Sequence, residues 1–264
     1  MTANVEPAEA STAPQYDPLS DEHTADPYPG YRRLRDQAPV FHSEQWDLWV
    51  VSRYDDVKSA LASPDVYSSE TPNHGAAPMC PAAMEILKGR EPVPGTLVTR
   101  DDPAHANNKR PVQRALSVRK IRQLHGHIEE LAQEFLDGFA DRGSVEFVSE
   151  FAGPLPATVV AELLGIPRPD HWRFRKWADS LKTGLSAGLT EAQEIDLAEN
   201  TMESDAYLRA LIRERRAEPK DDLLSELGAA VRADGTPYDE QEILGIAIQF
   251  VVAGTRPRRR CWPG

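Results

Sequence analysis

A chain of 264 residues with 30 basic and 42 acidic side chains carries a formal charge of −12, which opposes a role on nucleic acid or an anionic membrane for the chain as a whole. The length suffices for a substantial core, in one large domain or two small ones. Cys80 and Cys261 are too few for a disulfide framework and lack zinc spacing, and no apolar segment follows a basic patch near Met1, so a cytoplasmic protein is expected.

Residues 1–24 lack the branched apolar and aromatic density of a core and read as a disordered leader. A short helix is expected over Tyr31 to Gln37. Pro39-Val-Phe-His and Leu48-Trp-Val-Val-Ser, separated by the polar Ser43 to Asp47, then read as a β-hairpin. A second short helix, Tyr54 to Ala62, carries Val57, Ala60 and Leu61 on one face and stops before Pro64. Pro72 to Pro94 is rich in Pro, Gly and Ala and reads as a long loop holding a helix near Ala82 to Leu87, the kind of loop that often carries function.

Beyond Arg100 the pattern is helical almost throughout. Ile121, Leu124, Ile128, Leu131, Phe135 and Phe139 recur in steps of three and four, one stripe of a long helix closed by Gly143. Val145 to Val148 reads as a short strand. A helix over about Pro156 to Leu164 ends at Gly165 with Pro167 beyond it. Further helices are expected over Pro169 to Lys182, Thr190 to Ala217 and Asp221 to Arg232, with a turn at Asp234-Gly235. Asp239 and Glu242 form a capping box for a last helix, apolar on nearly every side, that runs to Gly254. Its length is too short for a membrane span. The fold class is therefore mainly α with a small N-terminal β element. Pro257 and the arginines of the stretch 255–264 do not continue the apolar helix, and that stretch reads as an aberrant Arg/Pro-rich tail.

The most specific stretch is Asp102-Pro-Ala-His-Ala-Asn-Asn-Lys-Arg110. A helix starting after Pro103 places His105 and Lys109 one turn apart on one face, where two donors can clamp a single anionic group. Taken alone, the pair reads first as a helix cap and a solvated charge.

With Ala115-Leu-Ser-Val-Arg119, Asp26-Pro-Tyr-Pro, Trp49-Val-Val-Ser-Arg-Tyr-Asp-Asp-Val57 and Glu162-Leu-Leu-Gly-Ile-Pro167 in the same order, the chain resembles the cytochrome P450 family in its soluble bacterial form, over residues 25–254. The resemblance implies an incomplete P450 fold, the N-terminal portion, reaching into the family's oxygen-activating I helix. It implies a haem cofactor, with His105 and Lys109 on a propionate. Lysine keeps the charge of the family's usual arginine but loses its bidentate fork. Ala253 and Gly254 match the I-helix signature at the haem face, whereas Arg256 and Pro257 stand at the positions of its acid and threonine.

The family's Glu-x-x-Arg motif and cysteine-ligand loop do not occur in these 264 residues, and neither Cys80 nor Cys261 sits in a haem-thiolate context. The resemblance thus implies a monooxygenase scaffold acting on a small hydrophobic organic substrate with a ferredoxin-type electron donor, inactive by itself in this chain. Substrate recognition falls to the loop Thr71 to Thr99 and to roof helices around Lys176 to Glu199. The alternative is a non-catalytic helical remnant or a protein binding hydrophobic ligands or a partner. Elsewhere the bland readings prevail. His125 and His127 point to different sides of their helix, Arg209 to Arg216 complement a helix C-terminus, and Trp172, Phe174 and Trp177 pack in a core.

Overall fold

Helix α1 (Asp21–Ala25) starts where the Ser20 hydroxyl accepts the His23 amide, an N-cap that satisfies one of the free donors of a helix start. It begins within 1–24, the stretch whose composition suggests a leader, and ends one residue beyond it. Residues 16–70, 79–93, 97–184 and 188–253 are described in this computed structural model, so residues 1–15 of the leader, and the tail from 254 on, lie outside the described residues. What the composition understates is aromatic packing: His23 meets Tyr16 at 5.4 Å and Tyr31 at 5.0 Å, both edge-on.

The chain divides into two units, 1–77 and 78–264. In the first, α2 (Tyr28–Gln37) begins one turn earlier than expected, because Pro29 suits the first turn of a helix, where its missing N–H is not needed. The hairpin pairs β1 (Val40–Ser43) antiparallel with β2 (Leu48–Val51), Phe41 opposite Val50 and His42 opposite Trp49. Strand alternation turns Phe41 onto Leu34 and Ala38 of the small core and leaves Trp49 exposed. Helix α3 (Tyr54–Leu61) closes the unit.

The second unit is helical: α4 (Pro81–Ile86), α5 (Ala104–Ala115), α6 (Val118–Asp137), α7 (Pro154–Leu163), α8 (His171–Thr183), α9 (Glu191–Ala217), α10 (Leu223–Ala229) and α11 (Glu240–Ala253). Val145 to Val148 is not a strand. A π-helical turn occupies Val148–Ala152, and it brings Phe147 and Phe151, four residues apart, into a stack with centroids at 5.0 Å. A strand there would have no partner to bond among the described residues, whereas the turn brings aromatic surface together. Helix α10 stops at Ala229, short of the expected Arg232, because Val231 bridges Pro237 across the Asp234-Gly235 turn.

Helix α11 lies in the core. Ile243, Leu244, Ile246 and Ala247 are buried where α11 packs on α7, α8, α9 and α10. Its first turns are therefore enclosed by this chain's own helices, while Ile248, Phe250 and Val252 near its end are only half-buried. The expected capping box is present: the Glu242 amide donates to Asp239 Oδ1 at 2.7 Å and the Asp239 amide to Glu242 Oε2 at 3.0 Å. No helix among the described residues is long and apolar enough to cross a membrane.

Candidate haem-propionate site

Helix α5 starts where expected. The Asp102 carboxylate accepts the Ala106 amide at 3.0 Å, and the His105 amide donates to Asp101 O at 2.8 Å, so the first turn is satisfied from the Asp101-Asp102 pair. Asn108, Pro111, Val112 and Ala115 form the buried stripe of this helix. His105 and Lys109 border that stripe, the imidazole half-buried and the ammonium exposed.

His105 Nδ1 lies 3.4 Å from Asp102 Oδ1, which orients the ring and leaves Nε2 without a partner among the described residues. Lys109 makes no ion pair among the described residues. Half-buried cations elsewhere are matched, Arg90 with Asp205 at 2.8 Å, Arg173 with Glu203 at 2.8 Å and Arg209 with Glu240 at 3.2 Å, whereas Lys109 is exposed and shares its lack of an ion pair with Arg110 and Arg114 of the same helix. An unmatched ammonium and a free imidazole nitrogen one turn apart fit a carboxylate such as a haem propionate.

Tyr238, just before α11, donates its hydroxyl to the Asn107 carbonyl of α5. Burial raises the Tyr238 pKa, with Arg232 acting in the opposite sense, so the phenol keeps its proton and remains a donor. Nothing in the sequence pairs these segments, which lie 131 residues apart.

Of the other expected site residues, Ala253 is the last residue of α11, and Gly254, Arg256, Pro257 and Cys261 lie outside the described residues. Cys80 caps the N-terminus of α4, its amide donating to Glu194. In the loop expected to read substrate, 71–78 and 94–96 lie outside the described residues; the described part is tied to the helical unit by Arg90 on Asp205 and by the Leu97 amide on Gln249 Oε1 at 2.9 Å.

His125 pairs with Glu129 and His127 with Glu162, so the two histidines serve different neighbours. The arginines from Arg209 to Arg216 do more than complement a helix dipole. Arg209 and Arg213 bind Glu240, Arg216 donates to the Tyr238 carbonyl, and Arg215 is buried on Asp222. Trp172 is exposed, whereas Phe174 and Trp177 are fully buried. The capping box of α9, Thr190 with Gln193, went unread although its Thr-x-x-Gln spacing is visible in the sequence.

Known proteins extend these observations. No protein-family model matches the chain. Among curated relatives, a putative cytochrome P450 123 of Mycobacterium tuberculosis is 34% identical over 238 residues, covering 90% of this chain and 57% of the relative. The cytochrome P450 monooxygenase PikC of Streptomyces venezuelae is 30% identical over 245 residues, covering 89% and 54%. Among solved structures, the cytochrome P450 PksS of Bacillus subtilis 168 superposes with a TM-score of 0.75 at 26% identity, covering 92% of this chain and 58% of that one. The chain spans a little over half the length of the relatives it matches.

Proposed function

We propose, from the premise that the chain is a homologue of the bacterial cytochromes P450, that its stretch 25–254 is the haem-holding part of a monooxygenase scaffold. The observation that carries this reading is the face of α5, where His105 is half-buried and Lys109, one turn on, has no ion pair among the described residues. His105 Nε2 and Lys109 Nζ would hold a haem propionate, with Asp102 beside Nδ1 fixing the ring. When bound, the haem supplies the iron at which dioxygen is activated, so that one oxygen atom enters a small hydrophobic substrate. Lys109 binds as a point charge, without the planar fork of an arginine.

Ala253 and Gly254 are read as the positions that leave room at the haem face. Arg256 and Pro257 hold the places of the acid and threonine, so no catalytic residue is assigned, and neither Cys80 nor Cys261 is assigned to iron. The electron donor is read as an acidic, ferredoxin-type carrier. Arg110, Arg114, Arg119 and Arg122 are exposed on α5 and α6 without ion pairs among the described residues, and they stand out in a chain of net charge −12. The setting is read as cytoplasmic.

The test is a titration of the purified chain with hemin, followed by tryptophan quenching and by the Soret band. The H105A/K109A double variant is expected to weaken binding by about tenfold or more, the scale of losing charge-assisted hydrogen bonds. Unchanged affinity overturns the propionate assignment. Reduced chain with haem and carbon monoxide is expected to lack the thiolate-type Soret shift, and observing that shift would reverse the reading of the cysteines.

A further inference from the structure

Pro111 lies inside α5 and is buried. A proline in a helix interior has no N–H for the carbonyl four residues back, so the Asn107 carbonyl loses its ladder donor. Asn107 is half-buried, and an acceptor left open there is destabilising. The Tyr238 hydroxyl donates to that same oxygen.

Tyr238 is held on its other sides. It is 3% exposed, its carbonyl accepts from Arg216, and the Arg232 guanidinium sits 4.9 Å from its ring centroid. The next residue, Asp239, caps α11. The phenol is thus anchored to the entry of α11 by contacts that do not involve α5. Asn107 falls between His105 and Lys109 on the turn that presents both.

We propose that Tyr238 is the positioning residue of α5: its hydroxyl supplies the donor that Pro111 lacks and fixes the turn carrying His105 and Lys109, a role that rests on the propionate reading of that face. A phenol that merely satisfied its own hydroxyl would act the same whatever residue stood at 111. The proposed role depends on the proline.

The experiment measures amide hydrogen exchange over 104–115 and hemin affinity in the full chain carrying Y238F, P111A or both. Y238F is expected to speed exchange in α5 by about five- to tenfold and to weaken hemin binding by about three- to tenfold, the scale of one hydrogen bond. In the P111A background the new alanine N–H takes the Asn107 carbonyl, and Y238F then changes both quantities less than about twofold, a double-mutant coupling. P111A alone is expected to leave α5 exchange within about twofold of the native chain. An effect of Y238F that is absent, or equal in the two backgrounds, overturns the proposal. If H105A/K109A leaves hemin affinity unchanged while the exchange coupling holds, the propionate reading falls and the hold of Tyr238 on α5 stands.

Discussion

Arg215 of α9 and Asp222, the N-cap of α10, form an ion pair in which each side chain is only 4% exposed. The remaining capacity of both groups is used. Asp222 Oδ1 accepts the Ser225 amide at 2.8 Å, and Arg215 Nη2 donates to the Gly165 carbonyl at 2.7 Å, so three elements meet at one charge pair. Removing one partner strands the other charge in the core. Asp222→Ala is expected to destabilise the fold by about 3–5 kcal/mol in denaturant melts, whereas R215M/D222L, which strands neither charge, is expected to cost less. A loss below about 1 kcal/mol for Asp222→Ala would place the pair among ordinary surface bridges.

Gly165 supplies a sharper steric test. Its φ is +78°, and an added Cβ would lie 2.1 Å from Asp222 Oδ2. Gly89 has a similar φ of +80° with nothing within 4 Å of the same atom. Gly89→Ala is therefore expected to cost only the left-handed backbone penalty, about 1 kcal/mol, while Gly165→Ala also displaces the carboxylate and loses several-fold more. Equal thermal shifts for the two variants would contradict the geometry.

On α8 the three aromatic residues should separate cleanly. Trp177→Ala or Phe174→Ala empties a site that is fully buried, and about 3–5 kcal/mol is expected to be lost in each case. Trp172→Ala removes a ring that is 63% exposed and is expected to stay within about 0.5 kcal/mol of the native chain. Chemical denaturation of the single variants measures both.

His127 carries a pH dependence. Its hydrogen bond to Glu162 raises its pKa above 6.5, desolvation acting the other way. A histidine whose folded pKa is raised contributes stability that is full below the unfolded value, near 6.5, and lost as pH rises through the folded value. The stability gap between the native chain and His127→Gln is expected to be larger at pH 5.5 than at pH 8.5, and to shrink in high salt because the pair is partly solvated. A gap independent of pH would remove His127 from the coupling of α6 to α7.

How much of this was legible beforehand depended on whether the signal was local. The stop at Gly165 and Pro167, the hairpin about Ser43 to Asp47 and the box of Asp239 with Glu242 are each written within one element, and each is present. The same holds for the one-turn spacing of His105 and Lys109 on α5. The stripe that begins at Ile121 lies on α6 only as far as Asp137, so Phe139 and Gly143 fall beyond the helix they were expected to end, on either side of a 3-10 turn over Ala140–Arg142. The other misreadings came where partners are remote. Val145 to Val148 has strand composition but no neighbouring strand among the described residues, and Phe147 stacks on Phe151 instead. The arginines of α9 look like a solvated helix end until Glu240, Asp222 and Tyr238 arrive from later in the chain. Pro111 advertises an orphaned carbonyl, but nothing nearby announces the phenol that fills it.

The burial of α11 has a consequence for how the molecule is made. Ile243, Leu244, Ile246 and Ala247 are the shared surface for α7, α8, α9 and α10, yet they are synthesised after all four. A nascent chain that has extruded only those earlier helices therefore carries an open apolar trough where α11 belongs, and its helical unit cannot close until residues near 250 leave the ribosome. Chaperone occupancy on ribosome-bound chains should persist through synthesis of α10 and fall only after α11 has emerged.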